Sequence, residues 1–224
     1  MRQFFRSFYI GFKLHAQTKL PPIKLKLKLR VQYYFNGKVL LSIIGMVGLE
    51  IRMLKILREW NEVEVILRKD LKEYETLTIK LPYAKAGEII SVPLWVAKVL
   101  INERVASIDI EKLNEWINRV YWREKVQIKG SYNISRLPPE FYTKVSLISF
   151  LIEKLQEEEN YPALEILRRG MDRLREVINK RKNAIPVLSE IEETSITERL
   201  TYEEKVLLRI FKEIINSWKS YTGV

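Results

Sequence analysis

The chain has 224 residues, 47% hydrophobic and 30% charged, and a formal net charge of +11. That is apolar material for a buried core in one large domain or two small ones, and it excludes wholesale disorder. With no cysteine and a single histidine, His15, disulfides, zinc ribbons, iron–sulfur clusters, cysteine nucleophiles and multi-histidine metal sites are excluded. Aspartate occurs only at Asp70, Asp109 and Asp172, so there is no paired-aspartate motif. The eight glycines form neither a dinucleotide-binding nor a phosphate-binding loop. Composition therefore points to a protein that binds or builds, without cofactor or metal, and not to an enzyme.

The charge is placed unevenly. Residues 1–45 hold nine of the 39 bases and none of the 28 acids, which leaves 30 bases against 28 acids in the rest. Three readings of residues 1–45 stay open. The apolar run Val39–Leu49 behind a basic stretch has the look of a targeting segment, though it is too short to span a membrane. Alternation over Lys24–Val31 and the turn pair Asn36-Gly37 predict a hairpin. The abrupt change in composition favours the third, a start at Met46 or Met53 with the extension arising from an upstream start assignment. If present, the segment forms a basic arm able to touch DNA.

From residue 46 the pattern predicts a small β-rich domain over 46–109. Leu49–Trp60 has helical spacing. Val63–Leu67, Thr76–Leu81 and Glu88–Val92 read as strands rich in branched residues, with Pro82 and Ala86-Gly87 between the last two. Pro93 opens a helix over Leu94–Ile101, and Ala106–Asp109 returns as a strand.

Residues 110–224 predict a helical bundle. Leu113, Trp116, Ile117 and Val120 mark one apolar stripe within Ile110–Tyr121. A second helix starts from Leu137-Pro-Pro-Glu140 and buries Phe141, Val145, Ile148, Leu151, Ile152 and Leu155. A third begins at Pro162, follows Leu164, Leu167, Met171, Leu174 and Ile178, and ends near Asn183 before Pro186. Ser195–Arg199 reads as a polar link. Thr201 and Glu204 have capping-box spacing and open a last helix, whose Leu207, Leu208, Ile210, Phe211, Ile214, Ile215 and Trp218 cover more than one stripe. Faces that wide pack against two neighbours, and some of them are expected to be intersubunit.

Several residues admit two readings. Trp95 suits an interface anchor, but a core aromatic is the commoner role. Trp116, Tyr121 and Trp122 have the chemistry to stack bases, against core packing and helix capping. Lys180-Arg181-Lys182 is a candidate DNA contact, against a solvated helix end favoured by the dipole. Ile44–Ile51 fits the glycine loop of a KH domain only in spacing, because Met46 and Val47 stand where basic or polar residues are usual. Glu203 and Glu204 are adjacent and point to different helix faces, so they make no catalytic pair.

Ile90–Ile101, with its Val92-Pro-Leu-Trp95 helix opening, is followed by Ala106–Asp109, then Leu113-Asn-Glu-Trp116, then Leu137-Pro-Pro-Glu-Phe-Tyr142. In that order these parts resemble the GINS family, the four-subunit assembly of the archaeal and eukaryotic replication fork. The likeness is to the archaeal subunit of the second and third Psf type, and covers about residues 49–183. The resemblance implies an α+β chain with a small β-rich domain first and an all-α bundle second. It implies a non-catalytic, archaeal, cytoplasmic and nucleoid-associated scaffold. Its partners would be another GINS subunit in a heterotetramer, the MCM helicase, a RecJ-like (Cdc-type) protein and primase, with DNA touched weakly or indirectly and no membrane. Expected interface residues are Pro93, Leu94, Trp95, Phe141, Leu207, Phe211, Ile214 and Trp218. The alternative is a nucleic-acid-binding module using the basic arm and the KH-like loop.

Overall fold

The computed structural model describes residues 47–75, 79–126, 133–191 and 194–223. Contacts divide the chain into residues 1–48 and 49–224, and the account below concerns the second unit. The targeting, hairpin and basic-arm expectations for residues 1–45 lie outside the described residues. Of the KH-like loop, residues 47–51 are helical, so Gly48 is part of a helix.

The fold is mixed α and β and mostly helical, in agreement with the expected α+β class. Helix α1 occupies residues 47–60. Strands β1 (Glu62–Leu67), β2 (Tyr74–Glu75), β3 (Lys80–Leu81) and β4 (Ile89–Pro93) follow, then α2 (Leu94–Asn102) and β5 (Ala106–Ser107). The rest is helical: α3 (Ile110–Val126), α4 (Phe141–Glu157), α5 (Tyr161–Glu190), the short α6 (Thr194–Thr197) and α7 (Tyr202–Thr222).

The main sheet has the order β4-β1-β5, all antiparallel. Alternation decides its faces. Val63, Val65 and Leu67 are buried and pair with or lie beside Val92 and Ala106, while Glu62 and Glu64 point to solvent. The turn before β4 needs Gly87, whose φ of +90° is left-handed and whose N–H donates to the Leu67 carbonyl at 2.8 Å. Pro93 ends β4 in an extended conformation (φ −54°, ψ 145°) and is the N-cap of α2, whose first helical residue is Leu94.

Two helix boundaries differ from those expected. The prolines before α4 delay its start to Phe141, because a residue preceding proline is driven out of the helical region. Helix α5 runs through Pro186 to Glu190, although an internal proline costs about 3 kcal/mol. Packing offsets that cost. Ala184, Ile185 and Leu188 are all buried against Ile134, Leu200 and Leu208, and the Ser189 hydroxyl donates to the Pro186 carbonyl at 2.5 Å.

One apolar core joins the sheet to α2, α3, α4 and the first half of α5. Gly170 lets α3 and α5 approach, since a Cβ there would stand 2.7 Å from Ile117 Cδ1. A second cluster gathers the end of α5, Ile134, Ile196, Leu200 and the start of α7. The expected capping box opens α7: Thr201 Oγ1 accepts from the Glu204 N–H (3.4 Å), and Glu204 Oε2 accepts from the Thr201 N–H (2.9 Å). Thr201→Ala removes half of it at a buried position. The expected loss is about 1–2 kcal/mol, read as a lower urea midpoint at unchanged slope; an unchanged midpoint would show that the cap carries no stability.

Candidate interaction surface

Helix α7 is unlike the others. Its buried residues, Glu204, Val206, Leu208 and Ile210, all precede residue 211, and none follows. Leu207 and Phe211 are half-buried on the second cluster. Beyond them Ile214, Trp218 and Tyr221 are exposed, and the two rings touch at 5.7 Å between centroids. Residues 207, 211, 214, 218 and 221 follow spacings of four and three, so they share one stripe. Among the described residues the base of that stripe is covered and its upper half is exposed, with Trp218 at 64%.

The other expected interface residues divide. Trp95 is exposed on α2 and meets Trp60 of α1 edge to face, with centroids 6.0 Å apart. Pro93 is half-buried. Leu94 and Phe141 are corrections: both are fully buried and present no surface. Leu94 turns into the sheet as its N–H donates to the Asn61 carbonyl (2.9 Å), and Phe141 is enclosed by Trp116 and Tyr142 at 6.1 and 4.9 Å.

The proposed DNA contact Lys180-Arg181-Lys182 does not survive as a patch. Arg181 has 0% exposure. Its five N–H donors are all used. Nε and Nη2 form a fork on the Glu204 carboxylate at 2.5 and 2.9 Å, and Nη2 also reaches the Arg199 carbonyl at 3.1 Å. Nη1 donates to Glu124 Oε2 (3.2 Å) and to the Ser135 carbonyl (2.8 Å). Glu124 accepts further from the Ser135 N–H (3.0 Å) and the Ser135 hydroxyl. Lys180 is spent on the same knot, its Nζ 3.0 Å from the Glu124 carbonyl and 3.3 Å from Glu124 Oε1. Of the three bases only Lys182 is exposed. The Tyr142 hydroxyl donates to Glu204 at 3.1 Å, and burial, with that carboxylate beside it, raises its pKa well above the usual phenol range.

Of the aromatic residues on α3, Trp116 is core and closed to bases. Trp122 is exposed and packs on Tyr121 at 5.5 Å, with Lys125 Nζ within 5.3 Å of both rings. A groove of about 670 Å³ lies beside α1, where Leu54, Leu57, Trp60 and Leu200 meet the oppositely charged Arg58 and Glu140. Among the described residues no group of three or more His, Asp or Glu is placed to hold a metal ion. No described helix is long and apolar enough to cross a membrane. Protein-family models give no match to the chain, and no curated protein sequence matches it.

Proposed function

We propose that the chain is a non-catalytic scaffold subunit of the GINS type, built as a small β-rich part followed by a helical bundle and working by holding partners in register. The observation that carries this reading is the bare apolar half of α7. Ile214, Trp218 and Tyr221 stand in one exposed row on a helix that has no fully buried residue after Ile210. A helix end of that kind completes its packing on another polypeptide, as in obligate interfaces that resemble a core cut in half. The resemblance of the Val92-Pro-Leu-Trp95 opening, and of the order of parts after it, to that family supports the reading. The partners are then a second GINS subunit with its domains in the reverse order, the MCM helicase, a RecJ-like (Cdc-type) protein and primase. The burial of Arg181 and the engagement of Lys180 argue against direct DNA binding by that segment.

The test is co-expression with candidate replication subunits, followed by mass measurement of the purified species. The expected result is a defined hetero-oligomer that survives dilution. A chain that stays apart from every candidate would overturn the reading.

A further inference from the structure

Helix α1 carries a second uncovered face, separate from α7. Glu50, Leu54 and Arg58 lie four residues apart and are half-buried toward the body of the protein. On a different face of the same helix, Leu49, Met53, Ile56 and Trp60 are 62%, 49%, 53% and 46% exposed. Their spacings of four, three and four residues are those of a seam that pairs with another helix. Trp60 is flanked by Trp95 of α2, and Val99, one turn along α2, is exposed as well. The seam is thus broadest at its C-terminal end.

The charges beside the seam select its occupant. Arg52 and Glu59 are seven residues apart, so they hold the same heptad position and flank the seam on the same side. Arg52 is exposed and makes no ion pair among the described residues. Glu59 is fixed by Lys98, whose Nζ reaches both carboxylate oxygens at 2.8 Å. In an antiparallel pair these flanking positions face each other across the seam. A second copy laid antiparallel brings Arg52 of each copy to Glu59 of the other, twice, about a two-fold axis. A parallel arrangement sets Arg52 near Leu57 and gains neither pair. Self-complementarity of this kind is what an isologous contact requires.

We propose that α1 is a homodimerisation element, pairing antiparallel with α1 of a second copy of this chain. Leu49 then packs on Trp60 of the other copy, and Met53 on Ile56. Four layers of side chains make a contact at the small end of specific interfaces, so the dimer is weak and concentration-dependent.

Sedimentation of the full chain over the micromolar range tests this. A reversible monomer–dimer equilibrium is expected. Arg52→Glu sets like charges opposite each other twice and should raise the dissociation constant about tenfold. Adding Glu59→Arg together with Lys98→Glu, which keeps an ion pair inside each copy, restores opposite signs and should return most of the affinity. Ile56→Asp should abolish the dimer, with circular dichroism unchanged because the position is exposed. The chain has no cysteine of its own, so introduced thiols report direction. Met53→Cys and Ile56→Cys proteins should cross-link when mixed and not when each is alone. A native chain that stays monomeric, because residues 1–48 or a different protein cover the seam, overturns the proposal. So does a dimer dissolved by Ile214→Asp but indifferent to Arg52→Glu, and so do thiol variants that cross-link only to themselves.

Discussion

Arg181→Met is expected to unfold much of the helical part of the chain, at a cost of about 3–5 kcal/mol. The magnitude comes from what it leaves behind. Glu124 and Glu204 are 2% and 1% exposed, and each rests on the guanidinium. Without it two buried carboxylates keep, among the described residues, Ser135, Tyr142, Thr201 and Lys180 as partners. The structure must then open to water around them. Arg181→Lys should be nearly as damaging, since one ammonium has three donors and no planar fork to span two carboxylates and two carbonyls. Replacing Arg181, Glu124 and Glu204 together with apolar residues of similar volume should recover a large part of the loss, because the charges that needed pairing are gone. Urea unfolding of the native chain and the three variants checks this ordering. A single variant within about 1 kcal/mol of native would mean that the carboxylates find other partners.

The second large effect concerns assembly and leaves the fold alone. Ile214→Asp with Trp218→Asp puts two carboxylates on the bare stripe of α7. The chain loses the Trp218–Tyr221 ring contact and part of the cover on Ile214, so stability should fall by only about 1 kcal/mol. Association with a co-expressed partner should fall by about a hundredfold or more, because a central aromatic anchor is lost and charges are buried unpaired. Thermal melting of the free chain and partner retention on a tagged column give the two readings. Loss of both stability and binding would place these residues in the protein's own core. Loss of neither would remove α7 from the interface. The two sites are connected: the Arg181 knot holds the capped start of α7 against α3 and α5, and so fixes the direction in which the bare stripe projects.

Helical periodicity made much of this legible. Leu113, Trp116, Ile117 and Val120 all proved to be buried, as did Leu164, Leu167, Met171 and Leu174. The capping box at Thr201 and Glu204 was legible because both halves are local and lie three residues apart. Arg181 was misread for a specific reason. A triplet of bases has the pattern of a solvated helix end, yet Arg181 stands seven residues after Leu174 and three after Ile178, on the same seam. Glu124 likewise follows Val120 by four. A charged residue that keeps the period of a buried stripe must find a counter-charge, and that signal was present for both. What periodicity does not supply is which distant residue answers it. Glu124 lies 57 positions from Arg181 in sequence.

Leu94 and Phe141 show the opposite error. Large apolar residues just after prolines can equally be anchors or core, and only the three-dimensional path of β4 into α2 and of the loop into α4 turns them inward. The α1 seam went unread because the apolar residues of Leu49–Trp60 are spread around the helix, and the side turned to the body of the protein is the one bearing Glu50, Leu54 and Arg58. The run through Pro186 was missed because propensity was weighed without the second apolar cluster, which buries Ala184, Ile185 and Leu188 on either side of the proline.

Hydrogen–deuterium exchange of α7, in the free chain and after assembly with the co-expressed subunit, addresses the main claim most directly. Amides of residues 205–210 should be protected in both states. Those of 211–222 should exchange fast in the free chain and become protected on assembly. Slow exchange at 211–222 in the free chain, or fast exchange that assembly leaves unchanged, would contradict a helix built to be finished by another protein.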